Sequence, residues 1–133
     1  MSRKASTAAV LAALLMSACM TPPQTPPLTL TKRQLTPAPI EQATLVVQAE
    51  RHAVHITSGL PNGCAAFERI DVRHQGQHFE IRVWNTMPAD PRIACTMIYR
   101  SKGHTVELGN ELTAGRKYRV TVNDTTRLDF IAR

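Results

Sequence analysis

The sequence predicts an all-β domain, a small sandwich of about seven short strands closed by one disulfide. Apolar residues recur with period two through the C-terminal two thirds of the chain, and turn residues return about every ten positions. No stretch holds a helical period with caps at its ends. Two cysteines, Cys64 and Cys95, lie deep in that same region.

The chain opens differently. Arg3 and Lys4 form a basic start, Ala8 to Met16 is an apolar run, and the small residues Ser17 and Ala18 precede Cys19. The run is short of the roughly 20 apolar residues that a membrane-spanning helix needs and has the length of a signal-peptide core. "LMSAC" resembles the lipobox of bacterial lipoproteins, with Met16 where leucine is usual. The resemblance implies that residues 1–18 are a signal peptide and that Cys19 becomes the lipidated first residue of the mature chain. The plainer alternative is an ordinary secretory signal that contains a cysteine. Met20, not Asp, follows Cys19. By resemblance to sorting in two-membrane bacteria, this implies the outer membrane, with the domain facing the periplasm or the cell surface.

Residues 19–42 carry six prolines and no alternation. Such a segment cannot bury enough surface to fold, prefers polyproline II, and would reach about 60–70 Å as a spacer. Residues 43–133 remain as one small domain. Losing Arg3 and Lys4 with the signal lowers the net charge from +6 to +4. That excess, spread along the chain, favours solubility and weak attraction to acidic surfaces over a nucleic-acid site. One Trp, two Tyr and three Phe are too few to build stacking platforms for single strands.

Within the domain, "TLVVQA" places Leu45 and Val47 on one face, whereas "AVHITS" places Val54 and Ile56 on the other parity. A turn, bend or bulge is therefore expected near Glu50–His52. "RIDVRHQGQHFEIRV" reads as a hairpin centred on Gln75–Gly76, pairing Val72 with Phe79 and Ile70 with Ile81. That register sets Arg69 opposite Arg82 and Asp71 opposite Glu80, like charges that oppose it. "CTMIYR", "HTVEL", "KYRVTV" and "RLDFIA" follow as further strands.

"LTAGRKYRVTV", with Leu112, Gly115 and then Tyr118 opening an alternation, resembles the tyrosine corner of immunoglobulin-like sandwiches. A core tyrosine behind a glycine turn is the alternative. The segments "SGLPNGC", "FERIDV", "FEIRVWN", "PADPRIAC" and "LTAGRKYRVTVN" together resemble a family of small, uncharacterised exported bacterial domains, often lipoproteins. The likeness runs from about Ala49 to Asp124. It implies a small β-sandwich with Cys64 and Cys95 bridged, and no established activity. Lipidation of Cys19 leads to the same pair, since it removes the odd cysteine in an oxidising compartment.

Catalysis finds little support. There is no G-x-S-x-G elbow, and the bridge claims both domain cysteines. Asp71 and Glu80 would meet across the hairpin as a carboxylate pair, but nothing marks a sugar cleft. His52 with His55, and His74 with His78, invite a metal reading that lacks further ligands at suitable spacing. No enzyme, cofactor or metal is expected. Loops are the better candidates, because a rigid sandwich presents them. The bridge would pin "SGLPNGC" beside "NTMPADPRIAC", where Trp84, Met87, Asp90 and Arg92 could contact a partner. These residues could equally serve only to make tight turns. Two functions follow: a non-catalytic interaction or structural module tethered to the envelope, docking an envelope protein or polymer, or an inhibitor of exported proteases acting through the pinned loops.

Overall fold

The computed structural model describes residues 31–133. The expected signal peptide, Cys19 and the tether as far as residue 30 lie outside the described residues. The described chain runs through β1 (Arg33–Pro37), β2 (Ile40–Gln48), β3 (Arg51–Leu60) and β4 (Ala66–Gln75), followed by β5 (His78–Pro88), β6 (Arg100–Glu107), β7 (Lys117–Val122) and β8 (Thr126–Ile131). β2, β3 and β6 form one sheet, and the other five strands form the second. Their inner faces enclose one core, so the domain is a β-sandwich.

Strand β5 organises the larger sheet. β4 runs antiparallel along one side, from Ala66 opposite Thr86 to Gln75 opposite His78. The other side is shared, with β7 parallel to residues 78–81 and β1 antiparallel to residues 84–88. The parallel ladder is possible because the chain leaves β5 for the opposite sheet and returns only after β6, a crossover long enough to restore direction. Period two then sorts the side chains. Val54 and Ile56 of β3, Phe79, Ile81 and Val83 of β5, and Val120 and Val122 of β7 are all buried in the core. Fully burying side chains of this kind contributes about 1.5–3 kcal/mol each.

The change of parity near residue 50 is a tight turn. Ala49 and Glu50 both have positive φ (46° and 67°) between paired Gln48 and Arg51, as a two-residue hairpin loop requires. The next hairpin turns at Gly76–Gln77, one residue later than expected, and its register is shifted by two. Val72 faces Ile81 and Ile70 faces Val83. A two-residue shift keeps the apolar set on the inner face. It also replaces the like-charge pairs, because Asp71 now opposes Arg82 and Arg73 opposes Glu80. Gly76, at φ 59°, takes the positive-φ position at the start of the turn, where a Cβ would be strained. Local turn chemistry and charge pairing decide the register together.

Two expected boundaries are corrected. Residues 33–42 do not belong to an unfolded tether: β1 lies along β5, and β2 begins at Ile40. The prolines permit this because β1 has a neighbour on one side only, and Pro37 stands at its end. Between the two prolines Ala38 drops into the core, donates its N–H to Val83 O (2.9 Å), and passes the chain to the other sheet. "CTMIYR" forms no strand before Arg100, because Cys95 and Thr96 are held against residues 63–64 at the end of the sandwich. β6 instead runs unbroken through Gly103 to Glu107.

The tyrosine corner is formed. The Tyr118 phenol oxygen accepts the backbone N–H of Thr113 at 2.9 Å, while its ring packs between Phe79 and Phe130 in the core. Gly115, at φ 78°, makes the return that brings Thr113 back to the phenol.

Candidate functional site

The bridge and its loops come first. Cys64 and Cys95 are joined, with Cα atoms 5.4 Å apart. Asn62 shapes the first loop: its Oδ1 accepts the N–H groups of Cys64 (3.0 Å) and Ala65 (3.1 Å). Gly63 donates its N–H to Thr96 O at 2.8 Å, and a Cβ at Gly63 would lie 1.9 Å from Thr96 Oγ1. The Arg33 guanidinium reaches in from β1 and donates to Cys64 O and Thr86 O, both at 2.8 Å. The start of β1, residues 61–65 and residues 94–96 are thus tied into one rigid end of the sandwich.

The four residues expected to form a contact surface there do not come together. Trp84 points from β5 to the outer face of the larger sheet, on the parity opposite to buried Ile81 and Val83. Met87, three residues on, projects from the opposite face. Asp90 and Arg92 complete each other. The Asp90 carboxylate takes the Arg92 N–H (3.0 Å) and two guanidinium N–H groups (3.0 and 2.9 Å), and this pairing holds the carboxyl below its usual range. Their geometry makes a turn. It leaves little free hydrogen-bonding capacity on Asp90 for a partner.

The larger group of functional character is centred on Trp84 alone. It is an open cleft of about 450 Å³ on the outer face of β4 and β5, lined by Arg69, Asp71, Arg73, Glu80, Arg82 and Trp84. The indole is half-buried, and its Nε1–H donates to Asp71 Oδ2 at 2.9 Å, which fixes the ring. Arg69 donates to the same carboxylate at 3.1 Å. Arg82 bridges Glu80 and, at 3.2 Å, Asp124 of the β7–β8 turn. The Arg82 hydrogen bond lowers the Glu80 pKa against a smaller desolvation effect. Among the described residues Arg73 has no ion-pair partner, so it is the cation available to a ligand.

This cleft corrects the carboxylate pair. Asp71 and Glu80 face arginines across the strands instead of each other, and each is bound to an arginine on its own strand. Each carboxyl is thus held by its own arginine and not by the other.

The histidines also separate. His52 is buried against Phe130, with ring centroids 5.4 Å apart and neither ring nitrogen bonded. His55 lies on the other face of β3, where its Nδ1 meets Thr105 Oγ1 at 3.2 Å. His74 stacks on Phe79, and His78 Nε2 meets Thr121 Oγ1 at 3.0 Å. His104, which the sequence did not single out, bonds Ser58 Oγ at 2.9 Å and packs on Phe67. Burial, then Lys102 and His55, push its pKa down. No group of three or more His, Cys, Asp or Glu side chains suited to a metal comes together among the described residues.

Two layered sheets, a tyrosine corner and a disulfide across one end define a small β-sandwich domain. The chain belongs to the ORF11 beta-sandwich domain family, whose family model matches residues 54–131. No curated protein and no solved structure matches it. The matched region begins inside β3 and closes within β8. It therefore contains the Trp84 cleft and the bridge but not β1.

Proposed function

We propose that this chain is a non-catalytic interaction module of the bacterial cell envelope, lipid-anchored through Cys19 and docking a partner at the Trp84 cleft. The single observation that carries the reading is the cleft itself. A tryptophan locked by Asp71 stands among guanidinium groups on an otherwise solvated sheet face. Trp and Arg are enriched among the few residues that carry most of the binding energy at protein surfaces. The anchor is supported by "LMSAC" and by the basic and apolar segments ahead of it.

Trp84→Ala is expected to weaken partner recovery from envelope extract by about 30-fold or more, which corresponds to a hot spot of about 2 kcal/mol. The side chain lies outside the core, so the melting transition should stay cooperative. Recovery that is unchanged with Trp84→Ala and lost with Asp90→Ala would move the site to the pinned loops. If the recovered partner is an exported protease and is blocked, the inhibitor reading replaces the docking one.

Cys19→Ser is expected to release the protein from membranes or leave it unprocessed, because stable anchoring takes about two acyl chains. Membrane flotation of the two proteins checks this. A native protein that stays soluble with an unmodified mature start would remove the anchor from the proposal.

A further inference from the structure

The segment that failed to become a strand has a feature that folding does not explain. Met97, Ile98 and Tyr99 are 89, 61 and 51% exposed, three consecutive apolar residues separated from the bridged Cys95 only by Thr96. Tyr99 has a local role. Its hydroxyl donates to Glu41 at 2.8 Å, and its ring lies so close over Gly59 that a Cβ there would meet the phenol oxygen at 1.8 Å. Thr96 is held by Gly63 on the other side. Met97 and Ile98 are therefore held out between two fixed points and are absent from the core cluster. A mobile loop could fold such residues back; this one is tied at both ends.

Their position relative to the rest of the chain is informative. The Lys32 carbonyl accepts the N–H of Ala89, and Arg33 bonds the carbonyl of Cys64. The chain thus enters the domain at the end that displays Met97 and Ile98. Residues 20–30 separate that entry from Cys19, and even fully extended they reach only about 40 Å. In the chain, Arg92 precedes the bridged Cys95 and Arg100 follows Tyr99, while Lys32 and Arg33 stand where the chain enters the domain. An apolar segment flanked in sequence by cations, on a chain of net positive charge, matches an anionic headgroup layer over acyl chains, and a tyrosine beside the apolar pair suits the interface between them.

We propose that residues 96–99 are a second membrane contact: Met97 and Ile98 insert into the interfacial layer of an anionic bilayer and orient the domain on the surface that holds its lipid. This deepens the anchored-module reading and rests on its placing the chain at a membrane. The Trp84 cleft, on the outer sheet face, would then remain open to a partner.

Methionine oxidation reads this contact directly, since an exposed thioether is converted to the sulfoxide by added hydrogen peroxide and a lipid-covered one is shielded. The full-length mature protein is reconstituted into vesicles of phosphatidylethanolamine and phosphatidylglycerol beside the variant Ile98→Asp. Ile98 is exposed, so both proteins should melt alike. Met97 is expected to oxidise about fivefold more slowly in the wild type than in Ile98→Asp. The gap should narrow when phosphatidylcholine replaces phosphatidylglycerol. Equal rates in the two proteins overturn the proposal. So does protection seen in whole envelope membranes and missing from protein-free vesicles, which would place a protein over the loop. Flotation of the same samples reads the anchor separately. A protein that floats with Met97 unprotected sinks the loop contact and leaves the anchor standing. A protein that does not float, yet whose Met97 is shielded on adding anionic vesicles, does the reverse.

Discussion

Cys64→Ala lowers the stability of the domain by about 2–5 kcal/mol, the usual loss when a native bridge is removed from a small disulfide-bonded domain. The bridge spans 31 residues and closes a loop that contains the whole β4–β5 hairpin. On the chain-entropy account such a loop contributes about 3–4 kcal/mol by restricting the unfolded chain. A domain of this size converts each kcal/mol into about 4–8 °C, so a drop of at least about 8 °C is expected in thermal melting under oxidising conditions. The same loss should follow from reducing the wild-type protein, and reduction should do nothing further to the variant. A melting temperature within about 2 °C of wild type would show that Asn62, Gly63 and Arg33 hold that end without the bridge.

The two-layer architecture and the tyrosine corner are legible because each has a local signature, and the bridge is legible from the cysteine count and the family resemblance. Alternation marks a strand wherever one face is buried, as in Ile81–Val83 and Val120–Val122. Gly115 ahead of Tyr118 marks the corner. Misreadings arose where a long-range partner decides the outcome. Residues 33–37 show no alternation because β1 buries almost nothing; β5 alone makes them a strand by completing its ladder. "CTMIYR" has strand-like composition, but the contacts of Cys95 and Thr96 with residues 63–64 direct it elsewhere. The hairpin register is the least legible of these features. A shift of two leaves every apolar residue on its face and so escapes a hydrophobicity argument, yet it changes which charges meet. The objection raised by like charges was the sequence's own correction: Asp71 opposite Arg82, and Arg73 opposite Glu80, is the arrangement that removes it. With that register the cleft around Trp84 follows, since Arg69 comes to face Trp84.

Asn123→Ala is expected to be among the most damaging single changes outside the apolar core. β5 changes partners at Val83: the ladder with β7 ends at Ile81 opposite Val122, and the ladder with β1 begins at Trp84 opposite Pro37. Between them Val83 O takes the Ala38 N–H, and no strand is present to satisfy the Val83 N–H. Asn123 does so with its side chain. Its Oδ1 accepts Val83 N–H at 2.8 Å, and its Nδ2 donates to Val83 O at 3.1 Å and to Ala38 O at 2.7 Å. The amide thus stands in for a length of strand, and it also holds the Pro37–Pro39 crossing between sheets. Asparagine suits the position twice over, since φ at residue 123 is 46°, a conformation it tolerates better than most. Alanine would leave the Val83 N–H and the Ala38 carbonyl of a part-buried region unpaired, at about 1–3 kcal/mol for each unsatisfied group, and would add strain at positive φ. Partial access of water limits the total, and a loss of about 3 kcal/mol is expected in denaturant unfolding. Asn123→Asp separates the contributions. The carboxylate keeps the bond from Val83 N–H but cannot donate to Ala38 O or Val83 O, so β1 should detach first. Amide hydrogen exchange reads this as loss of protection at Ala38 N–H and along the β1–β5 ladder, with β4–β5 protection retained. If Asn123→Asp leaves β1 as protected as wild type, the amide is not what joins the two ladders.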